Sequence, residues 1–190
     1  MTCIAWDGNT LASDSQCTDN CGMYLTRTPK LFRLKGGALI GTAGDDDCRE
    51  VMELFDNVKD ENDFPSRGQM AATHTNFGGL LVLPNKAVYT IDIGYQELGE
   101  RLGGQWDGSI TRIYGKYAIM GSGGSYAMGA MVSGASAVDA VKAACKLDSF
   151  CSLPVQTMIP GASDKKSVGH KTAKSKKKIV EVPTELEGTD

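Results

Sequence analysis

Short runs of apolar residues, separated by glycine, asparagine or proline, dominate the first half of this chain and recur after residue 78. Thr2-Cys3-Ile4-Ala5-Trp6 and Thr10-Leu11-Ala12-Ser13-Asp14 flank Asp7-Gly8-Asn9, a pattern that predicts a β-hairpin closed by a tight turn. A second strand pair is expected at residues 31–34 and 38–40, around Gly36-Gly37. A third is expected at 79–83 and 87–93, joined by Pro84-Asn85-Lys86. Residues 110–114 and 116–120 read as strands around Gly115, and 155–159 as a last strand stopped by Pro160-Gly161.

Elsewhere the period changes. Cys48, Val51, Leu54, Phe55 and Val58 fall at helical spacing, and Asp45, Asp46 and Asp47 crowd the expected first turn, where negative charge suits the helix dipole. After Gly121-Ser122-Gly123-Gly124 come Ala127, Gly129 and Ala130. A further helix is expected from Ser136, with Asp139 at the capping-box position and Ala137, Val141 and Ala144 on one face. Small side chains on both of these helices would let them pack closely. Residues 60–77, with Pro65 and Gly68, read as irregular, and the glycine-rich stretch 94–109 as a loop or surface excursion. Strands, helix, strands, two helices, strand is an order that suits helices layered over sheets, in an α/β or α+β arrangement.

The 190 residues suffice for one domain with a sizeable core. Residues 1–160 are read as that domain and 161–190 as a lysine-rich, mobile C-terminal tail. The net charge is −3. Residues 164–190 hold seven lysines against five acids, leaving 13 − 18 = −5 on residues 1–163. An acidic body with a basic end is not the footprint of a nucleic-acid-binding face. No apolar run approaches the roughly eighteen residues of a membrane span. The start lacks a basic region followed by an apolar core, so a cytoplasmic location is expected. The six cysteines include no Cys-x-x-Cys pair and the histidines are only His74 and His170, so no metal and no cofactor are expected, and the thiols are read as reduced and buried.

Candidate chemistry starts at Thr2. Initiator methionine is normally removed before a small residue, which would leave a threonine bearing both a hydroxyl and a free α-amine. Such an amine ionises close enough to neutral pH to serve as general base for its own hydroxyl. A lysine nearby would disfavour the protonated amine, and an aspartate beside that lysine would keep it charged; Lys30 and Asp14 are the candidates. Gly44, just before the aspartate-rich helix start, is a candidate oxyanion donor. Gly121-Ser122-Gly123-Gly124 is not a phosphate loop, because no Gly-Lys-Ser/Thr follows; it reads as a strand-to-helix corner presenting a hydroxyl.

Together these segments resemble the proteasome β-subunit superfamily of N-terminal nucleophile hydrolases, closest to the bacterial HslV-like threonine peptidases. The matching stretches are Thr2-Cys3-Ile4, Leu11-Ala12-Ser13-Asp14-Ser15-Gln16, Thr28-Pro29-Lys30-Leu31-Phe32-Arg33, Gly41-Thr42-Ala43-Gly44, and residues 120–127 with the helix that follows. The resemblance implies an α+β fold, a four-layer αββα sandwich. It implies Thr2 as nucleophile, Lys30 as the tuning lysine, Asp14 as its holder and Gly44 as the oxyanion glycine, with Ser122 and Asp148 as supporting hydroxyl and carboxylate. It also implies self-association into rings around an inner chamber, a protein or peptide substrate, and an ATPase unfoldase as a candidate partner. The chain departs from the pattern in its short first hairpin, in residues 60–77 and 94–109, and in its extra tail. Two other readings stand beside the peptidase: an amidase acting on small molecules, and a ring-forming scaffold without activity.

Overall fold

A computed structural model describes residues 2–18, 24–44, 48–97 and 103–161. In chain order the strands are β1 (Ile4–Trp6), β2 (Leu11–Ser13), β3 (Gln16–Thr18), β4 (Tyr24–Arg27), β5 (Leu31–Arg33), β6 (Leu39–Gly44), β7 (Phe77–Val82), β8 (Val88–Glu97), β9 (Gly104–Ile113), β10 (Ala118–Met120) and β11 (Gln156–Met158). The helices are α1 (Arg49–Phe55), α2 (Arg67–Ala71), α3 (Gly124–Val132) and α4 (Ala137–Leu147). The fold is α+β, with every strand pair antiparallel: a four-stranded sheet in the order β10-β1-β2-β11, a five-stranded sheet β5-β6-β7-β8-β9, and the ribbon β3-β4.

The first hairpin turns on Asp7. Its carboxylate accepts hydrogen bonds from the Asn9 and Thr10 N–H groups at 2.9 and 2.8 Å, while Gly8 supplies φ +95°. The second carboxylate oxygen accepts from Ala137 N–H at 2.8 Å, satisfying an orphan donor at the start of α4. Burial opposes ionisation here, but these N–H donors outweigh it and hold the Asp7 carboxyl below its ordinary range.

Alternation along the strands sorts the apolar residues into three cores. Cys3, Ala5 and Ala12 pack against Ala127 and Met131 of α3 and Ala137, Ala140, Val141 and Ala144 of α4. Ile4, Trp6 and Leu11 point the other way and meet Leu31, Leu39, Leu80, Val82 and Val88 of the five-stranded sheet. The opposite face of that sheet, with Ile40, Leu81 and Ile91, packs on Val51 and Phe55 of α1 and Met70 of α2. Each large side chain fully buried in this way contributes roughly 1.5–3 kcal/mol.

Two stretches differ from expectation. Residues 60–77 are partly regular: a single 3-10 turn at Glu61–Asp63 and the helix α2 each carry a capping box, from Asp60 and from Ser66 with Gln69. Those caps satisfy the end N–H groups of elements too short to show a helical apolar stripe. Residues 94–109 are largely strand. β8 and β9 stay paired out to Glu97↔Gly104, so the presumed loop is the far half of a long hairpin. The helix expected over residues 48–58 ends at Phe55, although Val58 is still buried. Asp45, Asp46 and Asp47, and the whole tail from residue 162, lie outside the described residues. Among the described residues no helix is long and apolar enough to cross a membrane.

Candidate active site

Three polar residues that are separate in sequence share one end of the paired sheets. Thr2 lies two residues before β1 and Asp14 immediately follows β2; the antiparallel register Ile4↔Ser13 runs on to set Asp14 against Cys3, next to Thr2. Lys30 immediately precedes β5 in the other sheet, and its carbonyl accepts from Thr42 N–H of β6 at 2.8 Å. All three are buried, at 4%, 0% and 4% relative exposure. The Lys30 Nζ donates to Asp14 Oδ1 at 2.9 Å and to Thr2 Oγ1 at 2.9 Å.

Asp14 also organises the backbone around it. Its Oδ1 accepts from Cys3 N–H at 2.9 Å, and Oδ2 from Gln16 N–H at 2.8 Å and Ser152 N–H at 3.4 Å. Asp14 N–H in turn donates to the Cys3 carbonyl at 3.0 Å. These bonds compensate a carboxylate removed from water, and they fix the oxygen that holds Lys30. Deleting either member of such a buried pair strands the other charge, at a cost of about 3–5 kcal/mol.

The glycine corner before α3 fits against the Thr2 backbone. Gly123 N–H donates to the Thr2 carbonyl at 3.3 Å. At Gly121, with φ +89°, a Cβ would lie 2.0 Å from the Thr2 oxygen. A Cβ at Gly123 would lie 2.7 Å from Cys151 Sγ and 2.8 Å from Cys3 Cβ. The run is therefore glycine because backbone and thiols occupy the space that side chains would need.

Ser122, between these glycines, is exposed and donates to Asp148, the residue that ends α4. Burial opposes ionisation of Asp148. The Phe150 N–H at 2.9 Å, the Ser122 hydroxyl and the Cys151 thiol at 3.4 Å outweigh it and hold the carboxyl below its ordinary range. The two residues thus form a linked pair beside the Thr2 backbone. Gly44 lines the same cleft as Thr2, together with Gln16, Thr18, Thr28, Phe32 and Ala43, enclosing about 200 Å³. It is the last residue of β6, and α1 begins only at Arg49, so the expectation that Gly44 sits at a helix start is corrected. Its φ of +119°, with Asn76 O 2.5 Å from a would-be Cβ, explains the glycine.

Sequence reasoning missed Gln156. From β11 its Nε2 donates to the Asp14 carbonyl at 3.3 Å and the Thr28 carbonyl at 2.8 Å, and its Oε1 accepts from Lys30 N–H at 3.0 Å. One side chain ties together the two segments that carry Asp14 and Lys30. No spacing or composition signal marks it. The nearby thiols are electrostatically quiet: burial, with Asp14 next in effect, pushes Cys145 up to about 11, and the contact with Cys3 followed by burial pushes Cys151 higher still. Both stay protonated at neutral pH and are poor nucleophiles. Among the described residues no group of three or more His, Cys, Asp or Glu is placed to hold a metal ion.

The arrangement offers a hydroxyl that accepts a hydrogen bond from a fixed ammonium, beside a cleft that admits a substrate carbonyl. No family model and no curated protein matches the sequence. The structure is similar to that of Thiobacillus denitrificans BPH, at 18% identity and a TM-score of 0.52, covering 83% of this chain and 96% of that one. A structure of the same protein in complex with Epoxomicin matches at 17% identity and a TM-score of 0.52, covering 84% and 97%. At these identities the likeness is one of fold, and it spans nearly the whole of the neighbouring chain.

Proposed function

We propose that this chain is a threonine-type peptidase subunit of the N-terminal nucleophile hydrolase class, with Thr2 as nucleophile once Met1 is removed. The observation that carries the reading is the Lys30 ammonium bridging Asp14 and the Thr2 hydroxyl, at 2.9 Å to each, at the wall of a cleft. The three cores separating helices, sheet, sheet and helices support the αββα sandwich of that class. A fold neighbour that forms a complex with Epoxomicin supports a ligand-binding role for a protein of this fold.

In this reading the Thr2 α-amine takes the hydroxyl proton as Oγ1 attacks the substrate carbonyl carbon. The Lys30 charge stabilises the developing alkoxide and disfavours a second positive charge on the amine. Gly44, on the cleft rim, is the proposed oxyanion donor. Collapse of the tetrahedral intermediate breaks the C–N bond, and the proton on the α-amine passes to the leaving amine. Water then attacks the resulting ester with the α-amine again as base, releasing the acid and restoring Thr2. Ser122 and Asp148 support the backbone around the nucleophile. We assign the chain to a self-associating ring whose partner is an ATPase unfoldase.

The test compares wild type, Thr2→Ser and Thr2→Ala on fluorogenic peptides, with the N-terminal residue of each protein sequenced. Thr2→Ala should lose on the order of a thousandfold or more in kcat/KM while remaining folded, and Thr2→Ser should retain measurable turnover. Epoxomicin should form a one-to-one complex with wild type and none with Thr2→Ala. Wild-type rates in Thr2→Ala would overturn the assignment, and a native mass of one subunit would overturn the ring.

A further inference from the structure

The cleft beside Thr2 does not end at Gly44. Ala43 and Gly44 also line an adjoining hollow formed with Asn76, Gly78, Asp92 and Met120. Asp92 and Ile93 in turn line a third hollow, with Gly94, Gln96 and Asp107. Successive hollows share lining residues, Ala43 and Gly44 between the first two and Asp92 and Ile93 between the last two, and so form a grooved row along the sheet.

Sheet register explains why this groove exists. Ala43↔Gly78, Gly78↔Asp92 and Asp92↔Ser109 form one row across β6, β7, β8 and β9. By strand alternation that row lies on the same face as Leu39, Leu80, Val82 and Val88, the face that meets the four-stranded sheet. The four-stranded sheet stops short of it. Met120, at the end of β10, lies 3.4 Å from a would-be Cβ on Gly78, and around Gly94 the nearest atom is Asn76 Oδ1 at 3.8 Å. The inner face of the long hairpin is thus an open shelf, kept low by two glycines.

Among the described residues the shelf carries one carboxylate that makes no ion pair. Asp107 is ion-paired with Arg67 of α2. Asp92 is exposed and makes no ion pair among the described residues. Neighbouring strands lie about 4.8 Å apart, so two strand steps from Ala43 to Asp92 span roughly 10 Å, the length of about three residues of extended peptide.

We propose that this shelf is a substrate subsite and that Asp92 is its specificity-determining residue, selecting a lysine or arginine side chain two to four residues from the scissile bond. The inference rests on the peptidase reading above and names a substrate class for it. An extended polypeptide with its scissile carbonyl at Thr2 continues over Ala43 and Gly78. Its backbone lies where the glycines leave room, and a basic side chain there reaches the Asp92 carboxylate. The acidic body, −5 over residues 1–163, adds a long-range attraction of the same sign.

The experiment scans one lysine through the four positions on each side of the scissile bond of an otherwise neutral peptide, with glutamate and glutamine scans as controls. Wild type should prefer lysine over glutamine in kcat/KM by about two- to fivefold at one position two to four residues from the bond, less at high salt. Asp92→Asn should lose that preference, and Asp92→Lys should turn it toward glutamate. Thr2-dependent cleavage with no lysine preference, or a preference unchanged in Asp92→Asn, overturns the subsite and leaves the peptidase reading standing. Cleavage that survives Thr2→Ala, or no cleavage of any peptide, overturns the peptidase reading and the subsite with it.

Discussion

At the scale of single residues, the site depends on where one lysine nitrogen is held. Asp14 holds it through a carboxylate already committed to three backbone N–H groups, and Gln156 holds the segments on either side. Gln156→Ala would leave two carbonyls and one N–H without their partner. It should destabilise the fold by about 1–3 kcal/mol and lower kcat on the order of a hundredfold with KM little changed. Denaturant melts and steady-state kinetics on peptides check this; a KM effect with normal kcat would assign Gln156 to substrate binding instead. Thr2, Asp14 and Lys30 were legible in the sequence because each is a chemically reactive type standing beside a strand run. Gln156 and Ser152 were not, because they act through backbone hydrogen bonds made across more than a hundred residues. The link between Ser122 and Asp148 was legible only through resemblance, since nothing in their spacing places a strand-to-helix corner against the end of α4.

At the scale of elements, hydrophobic alternation located the hairpins that are buried and was silent where both faces are polar. Val88 to Ile93 alternates in and out of the core, but Gly94–Glu97 and Gly104–Ser109 run past the opposing sheet and carry no apolar rhythm. The short helix α2 has one buried residue, Met70, so its only sequence mark was Ser66 three residues before Gln69. The corner before α3 makes a direct test of element packing. Gly121→Ala combines a positive φ with overlap on the Thr2 carbonyl, and should cost at least about 1–3 kcal/mol and most of the activity. Gly129→Ala in α3, where a Cβ meets nothing within 4 Å, is the control and should be neutral or mildly stabilising in the same urea melts. A second test concerns the tie between the 3-10 turn and the sheet. Burial first, and then its hydrogen bond to Glu61, push Tyr89 from 10.0 up to about 12. Because the folded value is the higher one, the Tyr89 contribution is complete below pH 10 and is lost as pH rises toward 12. Wild type should therefore lose stability over that interval relative to Tyr89→Phe; parallel curves would show that the hydroxyl is indifferent to folding.

At the scale of the whole molecule, three cores stack on two central sheets, and β1 sits between β10 and β2 in the middle of one of them. The general plan of helices over sheets was legible from the order of elements, whereas the pairing of β10 with β1 and of β11 with β2 was not. Those contacts join residues more than a hundred positions apart, and local pattern carries no information about them. The burial of Thr2 also sets an order in time. A threonine 4% exposed, with its carbonyl bonded to Gly123, gives an aminopeptidase no grip on the bond that precedes it. If Thr2 is the nucleophile, as proposed, Met1 has to be trimmed before the corner at residues 121–123 closes over the start of the chain. That corner is made about 120 residues later, which at roughly 5–20 residues per second leaves a window of about 6–24 s during synthesis. On that reading maturation is a race that the nascent chain wins only by being slow to finish. A chain carrying Met1 and refolded from denaturant should keep its methionine when methionine aminopeptidase is added afterwards, whereas the same chain translated in the presence of that enzyme should begin at Thr2. Rapid trimming of the refolded chain would show that the first strand opens on its own, and the race would have no deadline.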